Sequence, residues 1–246
     1  MKKISIMFFF VLAVLIFGCT QSAPQGATDD SKYNQQAPQK GRLVFAITDA
    51  AAKMQSVSSI IVTVDSVRVH SAAQGWLTVS STPKTYDLLK LKAQGNQELL
   101  ADAELISGTY DQLRLDISSV SVTDSGGKHD AKLPSGELKI TGILSVSANS
   151  TSTAEIDFMA DKSLHVTGNG KYVMAPVVKM ETKENADVEI KSDEKVEIKG
   201  GRISGSVKVG MDANGNVGEG MEIPSDADIS IESSGKIKIK SKIVIS

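Results

Sequence analysis

The chain has 246 residues and a formal net charge of −2, with 41% of residues hydrophobic and only 4% aromatic. That apolar share excludes wholesale disorder, and the missing basic excess excludes nucleic acid as a partner. The single cysteine, at position 19, excludes an internal disulfide and any cysteine-built zinc site.

Met1-Lys2-Lys3, the apolar run from Ile4 to Phe17 and the small Gly18 predict a secretory leader over residues 1–18. The run falls short of the roughly 20 residues that span a bilayer. Its end, Ile16-Phe17-Gly18-Cys19, resembles a lipobox, the motif at which prokaryotic lipoproteins are cleaved and lipidated on cysteine. Phe17 is bulkier and Ile16 less common than the motif usually has at those slots. The resemblance implies acyl chains on Cys19 that tether the protein to a membrane without spanning it, outside the cytoplasm. Thr20, being other than Asp, implies outer-membrane sorting where a second membrane exists. Residues 19–40 are rich in Gln, Ser, Ala, Pro, Gly and Asp, which predicts a flexible linker.

From Gly41 onward the pattern is that of strands. Leu43, Phe45 and Ile47 share one face and Val44 and Ala46 the other, predicting a strand covered on both sides. Ile60, Val62 and Val64 fall on even positions but Val67 and Val69 on odd ones, which predicts a bulge or bend at Asp65-Ser66. Trp76 to Val79 and Thr85 to Leu89 read as short strands around a Pro83 turn. Gln97 to Leu105 carries arguable helical spacing through Leu99, Leu100 and Ala103, although it is short for a helix. Gly108 to Ile117 reads as the central strand, with Leu113, Leu115 and Ile117 inward and Arg114 and Asp116 outward. Tyr110 falls in parity with Arg114, its hydroxyl in reach of a loop backbone group. Asp124-Ser-Gly-Gly127 and Gly168-Asn-Gly170 are turn signals between further alternating runs.

These spacings predict an all-β sandwich over 41–183. The runs Leu43 to Asp49, Val62 to Val64, Val67 to His70, Trp76 to Val79, Tyr86 to Leu89 and Leu100 to Asp102 together resemble one family. Gly108-Thr-Tyr110, Gln112 to Leu115, Asp157-Phe158, Asp161-Lys-Ser163, Gly168 to Tyr172 and Pro176-Val177 add to the likeness. The family is domain of unknown function 4382, found on prokaryotic extracytoplasmic proteins and often on lipoproteins; the match covers about Gly41 to Thr182. Ala51 departs from it, since a proline often follows the Thr-Asp-Ala step. The resemblance implies an immunoglobulin-like or transthyretin-like sandwich and implies no reaction.

Residues 184–246 contain a repeat: Met180 to Lys199 and Met221 to Lys240 align without gaps at nine identical positions of twenty. Val188 and Ile190 against Val196 and Ile198, then Ile229 and Ile231 against Ile237 and Ile239, predict two hairpins. Lone hairpins are unstable in water, so each should pack on the other or on the main domain. Lys236, Lys238 and Lys240 read as solvated surface rather than an anion-binding ridge.

Catalytic signals are absent. Asp212, Asn214 and Asn216 have calcium-loop spacing, but Val217 and Ile223 stand where such a loop needs Gly and Glu, so a turn is expected. Asp49, Asp157 and Asp161 are weak candidates for a hard-cation site, with loop capping as the favoured role. His70, His129 and His165 lack paired ligand spacing. The sequence therefore predicts a lipid-anchored, non-catalytic binding or scaffold module without cofactor, facing an envelope glycan or protein. Its rivals are a carbohydrate-processing enzyme or other hydrolase with carboxylates gathered from Asp49, Asp65, Asp157 or Asp161, and a calcium-stabilised adhesion module.

Overall fold

Alternating apolar and polar residues need a partner layer for their greasy side, and here two sheets supply it to each other. The computed structural model describes residues 37–49, 54 and 56–240; the leader with Ile16, Gly18 and Cys19, the linker as far as Gln36, and Ala51 lie outside them. In chain order the elements are β1 (Lys40–Thr48), β2 (Val57–Ser71), β3 (Gly75–Ser80), β4 (Lys84–Asp87), α1 (Leu88–Gln94), β5 (Glu98–Ile106) and β6 (Gly108–Asp124). Then come β7 (Gly127–Lys132), β8 (Glu137–Val146), β9 (Thr151–Phe158), α2 (Ala160–Ser163), β10 (Leu164–Val166) and β11 (Tyr172–Met174). The chain continues through β12 (Val177–Ile190), β13 (Val196–Met211), β14 (Val217–Gly218), β15 (Asp228–Ile231) and β16 (Ile237–Lys240).

One sheet runs β14-β13-β12-β9-β1-β5, the other β10-β11-β7-β6-β2-β3 with β4 added to β2 and β8 to β6. Pairing is antiparallel except β1 with β9 and β11 with β7. Inner-face side chains of both sheets, Phe45, Ile47, Val62, Leu113, Leu115, Ile140, Ile156 and Phe158 among them, merge into one buried core. The fold is an all-β sandwich, and β6 is its central strand, with β2 along one side and β7 and β8 sharing the other.

The bend at Asp65 is present and is double. Asp65 is an extra residue in β2 and Ser118 an extra residue in β6, and the Ser118 hydroxyl donates to Asp65 at 2.7 Å. Both strands therefore change parity at one level, and Val64, Val67, Ile117 and Val120 all stay buried. A second irregularity sits between Tyr110 and Gln112. It corrects the placement of Tyr110, which lies on the core side with the leucines, 0% exposed, not with Arg114. Its hydroxyl donates to the Ile106 carbonyl at 2.9 Å, the loop contact expected of it.

Two more expectations are corrected. Leu88 and Leu89 do not extend a strand: the Asp87 carboxylate accepts from the Leu89 and Lys90 amides and caps α1, which ends at left-handed Gly95. Leu88 and Leu91, one turn apart, are its buried side. The helical spacing at Gln97 to Leu105 belongs to a strand, β5. A bulge opposite Phe45/Ala46 leaves Leu100 unpaired, so Leu100 joins the main core while Leu99 packs against Val44 and Ala46.

The first repeat unit is the far end of a long β12–β13 hairpin, and Val188 pairs Ile198 and Ile190 pairs Val196 as the pattern required. β12 runs unbroken through Lys183 and Glu184, so residues 184–190 continue a sandwich strand. A register shift at Thr182/Lys183 and positive φ at Asn185, Gly200 and Gly201 bend the arm. Its apolar residues then cover Val44 and Ala46 on the outer side of β1. Near its tip, Lys195 bridges to Glu98, and the Leu99 and Val196 amides donate to the Glu194 and Gln97 carbonyls at 2.8 and 2.9 Å. The arm thus straps its own sheet from β12 to β5, which is why β1 is buried on both faces. The second unit is the β15–β16 hairpin, whose Ile229 and Ile237 enter the main core.

Candidate functional site

Outward residues of the larger sheet build a cluster around Trp76. Val67, Val69, Leu113 and Leu115 point to the core, so alternation puts Arg68, His70, Arg114 and Asp116 on the opposite face. Register brings them together: Arg68 stands opposite Arg114, and His70 is flanked by Trp76 and Gln112. Two like charges directly opposed are unfavourable by themselves. Glu137 from β8 offsets this by accepting from Arg114 at 2.9 Å and lying 3.6 Å from Arg68, while Asp116 holds Arg68 at 2.8 Å. The Arg114 guanidinium lies 4.2 Å from the centre of the Trp76 ring, a cation–π contact, and the His70 ring lies 5.2 Å away. His70 Nδ1 meets Asp111, the β6 residue left unpaired opposite Gly142 and Ile143 at this irregularity, at 2.7 Å. The bulge that turns Tyr110 inward thereby aims Asp111 at this face. Trp76, the chain's single tryptophan, remains 38% exposed in this frame.

Burial raises the Asp116 pKa, but hydrogen bonds from Ser66 and Arg68 and the charges of Arg68 and Arg114 outweigh it and hold the carboxyl below its ordinary value. A depressed folded-state pKa stabilises above the unfolded pKa and is lost as pH falls through the folded value. Thermal melts should therefore show a stability loss below about pH 4, where free Asp titrates. Asp116→Asn should flatten that part of the profile while lowering the melting temperature at pH 7.

A cavity of about 560 Å³ lies at the other edge of this sheet, walled by Asp161, Leu164 and His165 on one side and Glu222, Ile223 and Ala227 on the other. His165 is 8% exposed, and burial lowers its pKa, opposed by a hydrogen bond to the Lys162 backbone. Its Nε2 and the buried Asp161 Oδ1 have no hydrogen-bond partner.

Of the remaining sequence candidates, Asp49 and Asp157 sit at neighbouring ends of β1 and β9, where Thr48 pairs with Asp157, while Asp65 lies in the other sheet. Asp49 is buried and its Oδ1 accepts from the Ala160 amide at 3.4 Å, a capping contact at α2. Asp157 stands on β9 in register with Lys179, and Asp65 is bound to Ser118 in the opposite sheet. Among the described residues no three His, Cys, Asp or Glu side chains converge as metal ligands would. Asp212 accepts from the Asn214 and Asn216 amides at 2.8 and 2.9 Å, so this stretch is the turn expected of it. His129 is held by Asp124 at 3.1 Å; the same carboxylate accepts from Tyr172 at 2.6 Å and pushes that phenol up to about 12. Lys238 pairs with Glu232 at 2.5 Å and Lys240 lies 4.0 Å from Asp228.

The Trp76 cluster was missed by sequence reasoning. Its signal was available in the outward parity of Arg68, His70, Arg114 and Asp116; what was lacking was the register that aligns four strands.

The family description Domain of unknown function (DUF4382) matches residues 40–176, more than half of the chain. The chain belongs to the DUF4382 family. No curated protein matches it, and no solved structure does. The DUF4382 segment runs from β1 to just past β11 and contains the whole Trp76 cluster. It supplies only one wall of the cavity, since residues 222–229 lie beyond it.

Proposed function

We propose that this DUF4382 protein is a lipid-anchored, extracytoplasmic binding module whose Trp76 face holds a glycan of the cell envelope. The observation that carries the reading is an exposed indole framed by paired Arg, His and carboxylate groups on the outer face of the sheet. A sugar ring offers an apolar C–H face to an aromatic surface and hydroxyl edges that need donors and acceptors side by side. Here Arg68 and Arg114 supply donors and Asp111, Asp116 and Glu137 supply acceptors, each already fixed by a partner. Their charged ends pair with one another instead of converging on a reacting atom, which favours binding over catalysis, while the buried Nε atoms of Arg68 and Arg114 have no partner. The position of Cys19, after an apolar leader and before a polar linker, supports the anchor.

Because the chain has one tryptophan, its fluorescence reports this face directly. Titration with hexose-based cell-wall polysaccharides is expected to shift that emission, and Trp76→Ala to weaken retention on the same polysaccharides about 10–100-fold. Retention unchanged by Trp76→Ala would sink the glycan reading. For the anchor, metabolic labelling with a fatty acid should mark the native chain and leave Cys19→Ser unmarked; equal labelling rejects lipidation.

A further inference from the structure

The buried acceptors at the far edge of the sheet have no role in the reading above. An unpaired buried polar atom is destabilising, and two of them, His165 Nε2 and Asp161 Oδ1, belong to side chains that line one cavity. The His165 ring bonds to the Lys162 backbone, where only a carbonyl can accept, so that nitrogen carries the proton and Nε2 presents a lone pair. Burial lowers the ring's pKa and so favours its neutral form. Both atoms lack a donor and are closed off from solvent, so a ligand in the cavity supplies one as these two lining side chains turn toward it.

Three kinds of ligand could donate to, or ligate, these atoms: a metal ion, an alkylammonium or a hydroxyl. A metal needs three or more converging ligands, and no such group occurs among the described residues. A cation needs a negative field. The carboxylates of Asp161 and Glu222 are balanced by Lys162 at the cavity and by Lys208, 3.9 Å from Glu222. Hydroxyl groups remain. The cavity also offers donors, Lys162 and Ser225, next to its acceptors, and apolar surface from Leu164, Ile223 and Ile229 for the C–H side of a ring. Its volume of about 560 Å³ lies in the ordinary range of small-molecule sites, roughly 300–1,000 Å³.

We infer that the cavity between β10 and residues 222–229 is a second binding site, for a neutral polyhydroxylated ring such as one sugar residue, with Asp161 and His165 as its acceptors. It shares a ligand class with the Trp76 face but not a location. β10 and β3 are the two ends of a six-strand path, about 24 Å apart at 4.8 Å per strand. Either site can fail without the other.

The test is NMR on the full chain in mild detergent, following the ring resonances of His70, His129 and His165, with Trp76 emission recorded in parallel. Glucose, galactose and N-acetylglucosamine serve as probes, beside n-butylammonium and zinc chloride. The neutral sugars should shift His165 and leave His70 unmoved. Asp161→Ala should weaken that response about tenfold, and His165→Phe should weaken binding similarly when read by calorimetry. Melts of both variants, followed through Trp76, show whether they fold; if His165→Phe does not, Asp161→Ala decides. Sugars that leave His165 unmoved overturn the assignment, even where Trp76 emission responds and the glycan face stands. A response to zinc or butylammonium alone overturns it too.

Discussion

Tyr110→Ala is expected to destabilise the fold by about 3–5 kcal/mol, the range for removing a large buried aromatic ring. Tyr110 is fully buried within the core shared by both sheets. At this chain length each kcal/mol lowers the melting temperature by about 2–4 °C, so the fall should be easily read by calorimetry. Tyr110→Phe separates the two parts of the loss. The ring stays, but the Ile106 carbonyl loses its 2.9 Å donor and Gln74 Nε2 its 3.2 Å acceptor, for a cost of about 1–2 kcal/mol. A Tyr110→Ala loss no larger than that of Tyr110→Phe would mean that the ring does not pack as described. Because the same bulge points Asp111 at His70, Tyr110→Ala should also loosen the Trp76 cluster and shift tryptophan emission to the red.

Gly210→Ala is expected to cost about 1–3 kcal/mol, for a reason opposite to a cavity: there is no space. Gly210 lies in β13 between Val177 and Gly218, and an added Cβ would sit deep inside the contact distance of the Met221 carbonyl oxygen. That oxygen belongs to backbone, so it can yield only if the segment leading to Glu222 and Ile223 moves. Those residues are a wall of the cavity. Denaturant unfolding checks the stability loss, and exchange of the Glu222 and Ile223 amides with deuterated solvent checks the displacement. Gly75→Ala is the contrast. A Cβ there meets nothing within 4 Å, and its φ of +70° makes the penalty conformational instead of steric.

Much of the fold was readable because period-two alternation carries its own geometry. Val64 and Val67 announce a parity change, and a bulge at Asp65 is the one way to keep both inside. The partner change from Ile117 to Val120 was equally visible, yet only pairing reveals that Asp65 and Ser118 face each other. Tyr110 was misplaced because parity was counted straight through Asp111, where one residue of β6 faces Gly142 and Ile143 of β8, a shift that only pairing reveals. Leu88 and Leu89 looked like strand because apolar neighbours fit either period; the Asp87 cap and Gly95 were the deciding signals. The cluster at Trp76 draws on β2, β3, β6 and β8, and strand order is a long-range property that local spacing does not encode. Asp161 was named with Asp49 and Asp157 as a cation candidate; His165 follows it through α2 and β10, and Glu222 meets the two only through the path of residues 211–229.

The strapped first strand has a mechanical corollary. β1 begins at Lys40, and a pull on the preceding chain runs along its axis. It is hydrogen-bonded to β5 on one edge and to β9 on the other, so such a force shears many rungs together rather than peeling them one at a time. With the β12–β13 arm clasped over its back, the strand nearest the proposed tether is held along both edges and over its outer face, so a load on the tether is shared across the sheet.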